Sequence, residues 1–217
     1  MSDPLRLAEL HGWVHEICEA GIEGDIVECG VWNGGSAAVM AAAIANYPGR
    51  QIWLYDTFEG IPAPGPQDEA FAQAFAGEFV ASGDSVLEVL RKVKFPLDRV
   101  VLRRGTFRDA FREPPPSKVA LLHIDADWYE SVLSALQTFY VAVADGGLIV
   151  LDDFGHWEGA RKAFYTFCRS QGIQPLLERV GYTQAFWFKG REHNRDAQEH
   201  FYFGTYRARW QSRPRHV

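Results

Sequence analysis

Two apolar runs in this chain stop on paired carboxylates: VALLHIDAD closes on Asp125 and Asp127, and GGLIVLDD closes on Asp152 and Asp153. Near-continuous apolar runs of this length fit strands buried on both faces, and such strands belong to parallel sheets covered by helices. If the two strands are neighbours, four carboxylates meet at the C-terminal edge of the sheet, where open α/β folds bind ligands. Oxygen donors in that number suit Mg²⁺, Ca²⁺ or Mn²⁺, and no Cys/His pattern accompanies them to suit zinc. The plainer alternative is that Asp begins a loop after a buried strand, and Asp127-Trp128-Tyr129-Glu130 has the spacing of a helix capping box.

The rest of the chain repeats the alternation. Leu10, Trp13, Val14 and Ile17 recur at helical spacing within 5–20, and Gly21 and Gly24 end that leading helix. Residues 25–29 read as a buried strand, 30–35 as a tight loop, and 36 onward as an Ala-rich helix stopped by Asn46 and Pro48. A strand at 51–56 completes a βαβ unit. Further strand-like runs lie at 99–103, 119–125 and 148–152, with a helical pattern from Val132 to Val143 between the last two. Runs at 174–180 and 184–189 flank Gly181 as a closing hairpin, which requires an antiparallel strand. The fold class expected is therefore α/β, a doubly wound, mostly parallel sheet with a C-terminal antiparallel hairpin.

A single domain over 1–190 is expected, with 1–24 as its leading helix. Residues 58–83 form a Pro-rich insertion in which Phe71, Phe75 and Phe79 recur every four residues, the spacing of a helical flap or of a surface helix packed on the core. Residues 191–217 mix Arg, His and aromatics with little aliphatic content, as a dimer contact, a disordered tail or an RNA-binding arm would. A net charge of −6 opposes phosphate-driven nucleic-acid binding. Three widely spaced cysteines indicate neither a disulfide framework nor a metal knuckle, and no apolar stretch approaches the roughly 18 residues of a membrane span. The expectation is a cytoplasmic protein, a homo-oligomer, acting on a small molecule with no nucleic acid or membrane partner.

In DIVECGVWNGGSAA, glycines stand between a buried strand and a helix start, where a ligand can approach backbone N–H groups. Glu28 precedes Gly30, so a carboxylate is expected to face the loop's ligand. It would repel a pyrophosphate and attract the ammonium of a methionine moiety, which favours S-adenosylmethionine over NAD. Asp56 lies about 20 residues beyond the loop, at a strand end where an acid can bind a ribose diol. Gly105, Thr106 and Phe107 end the next strand; the glycine permits close approach and the aromatic can cover a purine, or belong to the core.

In this order, GDIVECGVWNGGSA, LYDTFEGIP, HIDADWYES and GGLIVLDDFG resemble the macrocin O-methyltransferase (TylF/MycF-like) family of class I enzymes. The resemblance implies S-adenosylmethionine as methyl donor, a divalent cation such as Mg²⁺, a sugar hydroxyl as acceptor, and a seven-stranded sheet. It implies Asp125, Asp152 and Asp153 as metal ligands, with Asp125 also beside the cofactor, and Asp127 as general base. Glu28, Gly30 and Ser36 match the methionine-binding loop, and Asp56, with Thr57 and Phe58 after it, matches the ribose site. Catechol O-methyltransferases resemble this arrangement at the same strand ends but use a lysine just after the first metal-binding Asp.

Chemically, an unactivated sugar hydroxyl needs a base, and two adjacent hydroxyls could grip the cation together. Asp127 is the first candidate base and His156, just past the Asp152 pair, the second; His123 shares the strand face of Asp125 but reads as a core histidine. Trp32, Trp128, Trp157 and the Phe71 to Phe79 segment are candidates for an apolar acceptor face. Two other functions fit parts of the pattern. Asp125-Ala126-Asp127 is also the short acidic motif of metal-dependent nucleotide-sugar glycosyltransferases, and a non-catalytic nucleoside-binding protein could retain the same fold.

Overall fold

The computed structural model describes residues 3–192. The readings made for 193–217, most of the basic aromatic tail, lie outside the described residues.

Helix α1 (Pro4–Glu19) starts where the Asp3 carboxylate accepts a hydrogen bond from the Leu5 N–H at 2.9 Å, with proline at the first helical position. There follow β1 (Asp25–Cys29), α2 (Gly35–Ala43), β2 (Ile52–Asp56), α3 (Gly83–Lys92), β3 (Val100–Arg104), the single turn α4 (Phe107–Ala110) and β4 (Val119–Ile124). Then come α5 (Tyr129–Phe139), β5 (Val143–Leu151), α6 (Glu158–Gln171), β6 (Glu178–Val180) and β7 (Gln184–Phe188). The strands form one sheet in the order β3-β2-β1-β4-β5-β7-β6. The first five are parallel, and β7 runs antiparallel to both β5 and β6.

Two-residue alternation sorts each strand between two cores. Ile26, Leu54, Leu121, Leu148, Val150 and Phe186 point to the layer that packs with α1, α2 and α3. Val27, Tyr55, Leu122, Ile124, Ile149, Leu151 and Trp187 point to the layer that packs with α5 and α6. All six residues of β4 are buried, as its uninterrupted apolar run requires.

β5 begins at Val143, five residues before the strand read at 148, and takes a residue assigned above to the helix. Gly146 and Gly147 look like a break in sequence, yet they pair with the chain beyond β7. The Gly146 N–H donates to the Lys189 carbonyl at 3.0 Å, and the Lys189 N–H to the Gly147 carbonyl at 2.8 Å.

The insertion at 58–83 is not a regular helical flap. Its helical part is a 3₁₀ turn, Ala70–Phe75; Gly77 (φ 82°) and Phe79 (φ 59°) then leave helical conformation, so the four-residue phenylalanine spacing is not a helix face. Instead the insertion caps its neighbours. Asp68 accepts from the Tyr129 N–H at 2.8 Å at the start of α5, and Glu69 accepts from the Glu158 N–H at the start of α6. The capping box read at Asp127 to Glu130 does not form, because Asp127 turns to Trp157 and Asp68 takes the helix end. Replacing Asp68 with Ala should therefore cost about 1 kcal/mol of stability. In a thermal melt this should appear as a drop of about 2–4 °C, and Asp68→Asn, which keeps an acceptor oxygen, should avoid most of that drop. An unchanged melting temperature for Asp68→Ala would show that the cap contributes nothing.

Candidate active site

The strand order reverses direction between β1 and β4, so the loops that leave these two strands part in opposite directions and open a crevice. The Asp125 N–H donates to the Cys29 carbonyl at 2.8 Å, which locks the two strand ends together. Directly above lies Gly30 (φ 89°); a Cβ there would come within 1.7 Å of the Asp125 carbonyl oxygen, so only glycine lets the loops approach this closely. The crevice is a cavity of about 750 Å³, a size that accommodates a nucleoside cofactor and a small acceptor together.

Its floor is acidic. In the β4–β5 register Ile124 lies opposite Leu151, so Asp125 and Asp152 are the next residues on adjacent strands. Ligand oxygens of Asp125, Asp152 and Asp153 lie within 4.8 Å of one another. Burial and the Asp152 charge push the Asp125 carboxyl well above the usual range, and burial with the charges of Asp127 and Asp125 does the same to Asp153. Carboxylates held this close and this dry repel one another, a cost that a bound cation relieves. An all-oxygen donor set fits a hard divalent ion.

Asp127 adopts a left-handed backbone (φ 56°), which an Asp tolerates better than most residues. This turn aims its carboxylate at Trp157, whose Nε1–H donates to Oδ1 at 3.0 Å, while its own N–H donates to Asp153 Oδ2 at 3.2 Å. Burial raises its pKa to about 6, against the Trp157 hydrogen bond that lowers it. His156 lies on the exposed side of the same wall, its ring edge-on to Trp157 with centroids 4.7 Å apart.

Beneath the floor runs a line of alternating charge. Glu28, 0% exposed, accepts from His123 Nδ1 at 2.9 Å, and His123 Nε2 lies 3.7 Å from Asp152 Oδ1. Burial works against protonation of His123, yet the carboxylates of Asp152 and Glu28 on either side outweigh it and hold the pKa up at about 10. Burial likewise opposes ionisation of Asp152, but hydrogen bonding and charge from His123, with Arg6, bring its pKa below the usual value. Glu28 was expected to face the loop's ligand. Strand alternation instead turns it to the α1 side of the sheet with Ile26, and it does not line the cavity; its Oε2 is buried without a hydrogen-bond partner among the described residues.

The other residues expected at the cofactor side divide in two. Gly30, Asp56, Thr57, Thr106, Phe107 and Asp125 line the cavity. Asp56 Oδ2 accepts from the N–H groups of Val31 and Trp32 at 2.7 and 2.8 Å, and Oδ1 from Phe58 N–H at 2.7 Å. It thus shapes the glycine loop and still keeps lone pairs for a ligand. Ser36, Phe58 and Gly105 are not part of the cavity wall: Ser36 is buried in the first turn of α2, Phe58 packs in the core, and Gly105 precedes the wall residues Thr106 and Phe107.

The rest of the lining is largely apolar, with Trp32, Ile61, Pro62, Phe75, Phe79 and Trp157. Trp128 is core, and Phe71 is exposed outside the cavity. Trp32 (φ 46°) and Phe79 (φ 59°) both hold left-handed backbone and meet edge to face at 5.6 Å. With Asp127 they make three such residues lining the cavity, the kind of stored strain that gathers at functional sites. Sequence reading missed Arg6, Arg108, Ser131, Ser134 and Thr183, which also line the cavity. Ser131 and Ser134 were findable, being three apart on the turn-facing start of α5, whereas nothing local marks Arg6 or Thr183.

Comparison with known proteins agrees with this geometry. The family model described as Macrocin-O-methyltransferase (TylF) matches residues 1–189. The chain is 28% identical over 189 residues to 8-demethyl-8-(2,3-dimethoxy-alpha-L-rhamnosyl)-tetracenomycin-C 4'-O-methyltransferase of Streptomyces olivaceus, covering 84% of this chain and 72% of that one. It is 26% identical to mycinamicin III 3''-O-methyltransferase of Micromonospora griseorubida over 191 residues, 84% of this chain and 75% of the relative. The solved O-methyltransferase NovP superposes with a TM-score of 0.79 at 26% identity, covering 86% of this chain and 80% of its own. These matches set aside the glycosyltransferase reading of Asp125-Ala126-Asp127.

Gly30→Ala should be severely destabilising, by about 3 kcal/mol or more, because the new methyl meets backbone at an unfavourable φ. Chemical denaturation would measure it; a loss under about 1 kcal/mol would show that the two loops can separate.

Proposed function

The chain belongs to the macrocin O-methyltransferase family and is an S-adenosylmethionine-dependent O-methyltransferase; from that premise we propose that it methylates a sugar hydroxyl of a glycosylated natural product with the help of a divalent cation of the magnesium class. The observation that carries the cation is the meeting of Asp125, Asp152 and Asp153 on the cavity floor. The sugar acceptor rests on the relatives, two of which are named for methylating a rhamnosyl tetracenomycin and mycinamicin III.

In this reading the methyl donor lies over Gly30, with its ribose at Asp56 and Thr57 and its adenine beside Thr106 and Phe107. Asp125, Asp152 and Asp153 would hold the cation, which when bound lowers the pKa of a hydroxyl placed against it. Adjacent sugar hydroxyls fit such a grip. The apolar wall from Trp32 to Trp157 receives the less polar part of the acceptor and keeps water from the reacting atoms.

Asp127 is the base. Trp157 fixes one of its oxygens, leaving the other to take the acceptor proton, and its position next to the carboxylate triad puts it beside the hydroxyl. As the proton moves to Asp127, the hydroxyl oxygen forms a bond to the methyl carbon in line with the breaking carbon–sulfur bond; S-adenosylhomocysteine leaves and Asp127 returns its proton to water. His156, exposed at the rim, is the weaker candidate.

Transfer of labelled methyl from S-adenosylmethionine to glycosides with vicinal hydroxyls, with and without a chelator, tests this directly. Turnover should require the cation, and Asp127→Asn should lower kcat by about 10²–10⁴-fold with KM little changed. His156→Asn should keep most activity. Full turnover in chelator would end the cation reading, and an unimpaired Asp127→Asn would end the base assignment. Binding of cofactor and cation without transfer to any vicinal diol would rule out the sugar-hydroxyl acceptor.

A further inference from the structure

Arg6 stands in the first turns of α1, far in sequence from the carboxylates it reaches. Its guanidinium pairs with Asp152 Oδ2 and donates to Thr183 Oγ1 at 2.9 Å, and its side chain is only 15% exposed. One arginine thereby joins α1, the end of β5 and the turn between β6 and β7. We propose that Arg6 is the built-in counter-ion of the carboxylate cluster, and that a divalent cation entering the cluster displaces it and releases the first turn of α1. This rests on the reading that Asp125, Asp152 and Asp153 hold such an ion.

Asp152 is already well supplied with donors. Gln184 Nε2 donates to Oδ1 at 2.8 Å, His123 Nε2 lies 3.7 Å from the same oxygen, and Arg6 holds the other. Gln184 and His123 sit on β7 and β4, buried within the sheet, and cannot withdraw without moving a strand. Arg6 can withdraw. Its side chain is long, and the helix start beside it, from Asp3 through Leu5, is exposed. The driving force is electrostatic: a guanidinium and a divalent ion on one carboxylate repel at short range, and the ion gains from Asp125 and Asp153 as well. Without the ion, Arg6 offsets part of the mutual repulsion of the cluster; with it, that role is redundant.

Two measurements on the full chain test the proposal. Calorimetric titration with Mg²⁺ should show Arg6→Gln binding the ion about tenfold more tightly than the wild type, because a competing cation has gone. Arg6→Lys, which keeps the charge without the fork, should gain less. In the wild-type protein, amide hydrogen exchange over residues 5–8 should accelerate when Mg²⁺ is added, and should not respond in Asp152→Asn. The exchange measurement needs no Arg6 variant, so it decides the matter even if Arg6→Gln does not fold. Equal or weaker Mg²⁺ binding by Arg6→Gln would overturn the displacement and make Arg6 a bystander or a clamp that orients Asp152. Exchange over residues 5–8 that Mg²⁺ slows or leaves unchanged would overturn the latch. Absence of Mg²⁺ binding in the wild type would remove the cation reading itself, and with it this one.

Discussion

The parallel register of β4 and β5 is the constraint on which the rest depends. With Ile124 opposite Leu151, and Cys29 opposite Ile124 on the other side, three buried strands stop at one level. The residues after them enter a crevice rather than a core, and they are carboxylates where two of the strands end. Gly30 then closes the β1 loop onto Asp125 at a distance no other residue permits. A shift of one residue in this pairing would send Asp152 to the opposite face and dissolve the cluster.

Electrostatics complete the site from both sides of the sheet. Glu28, His123, Asp152 and Arg6 alternate in sign across adjacent strands to α1, so the most buried charges each have an opposite neighbour. The cavity above is lined by carboxylates and by aromatic rings, and Asp127 joins the two sets, tied by Trp157 on one side and Asp153 on the other. Such a division suits a reaction that passes a proton to a carboxylate while an uncharged part of the acceptor rests against rings.

Much of this was legible in the sequence because it is written locally. Apolar runs mark β4 and the second half of β5, the strand–glycine–helix pattern marks β1, Gly181 marks the hairpin, and the residues after β4 and β5 mark the floor of the site. What could not be read depends on contacts between distant segments. Asp68 and Glu69 cap helices about sixty and ninety residues away, and their effect is invisible to any local pattern. Phe71, Phe75 and Phe79 mimic a helical period, but Gly77 and a left-handed Phe79 break it. Closeness to Gly30 at the strand end suggests that the Glu28 carboxylate faces the loop's ligand, whereas the two-residue period of the strand turns it to the α1 side. Arg6 and Thr183 enter the site only through tertiary packing.

The central claim is that the β1–β4–β5 edge holds both the methyl donor and a cation. Anomalous diffraction from crystals grown with Mn²⁺ and S-adenosylhomocysteine tests it most directly. The account predicts a manganese peak in contact with Asp125, Asp152 and Asp153, and the cofactor sulfur above Gly30 and facing Asp127. A cofactor bound with no peak at those three carboxylates, or with its sulfur turned away from Asp127, would contradict it.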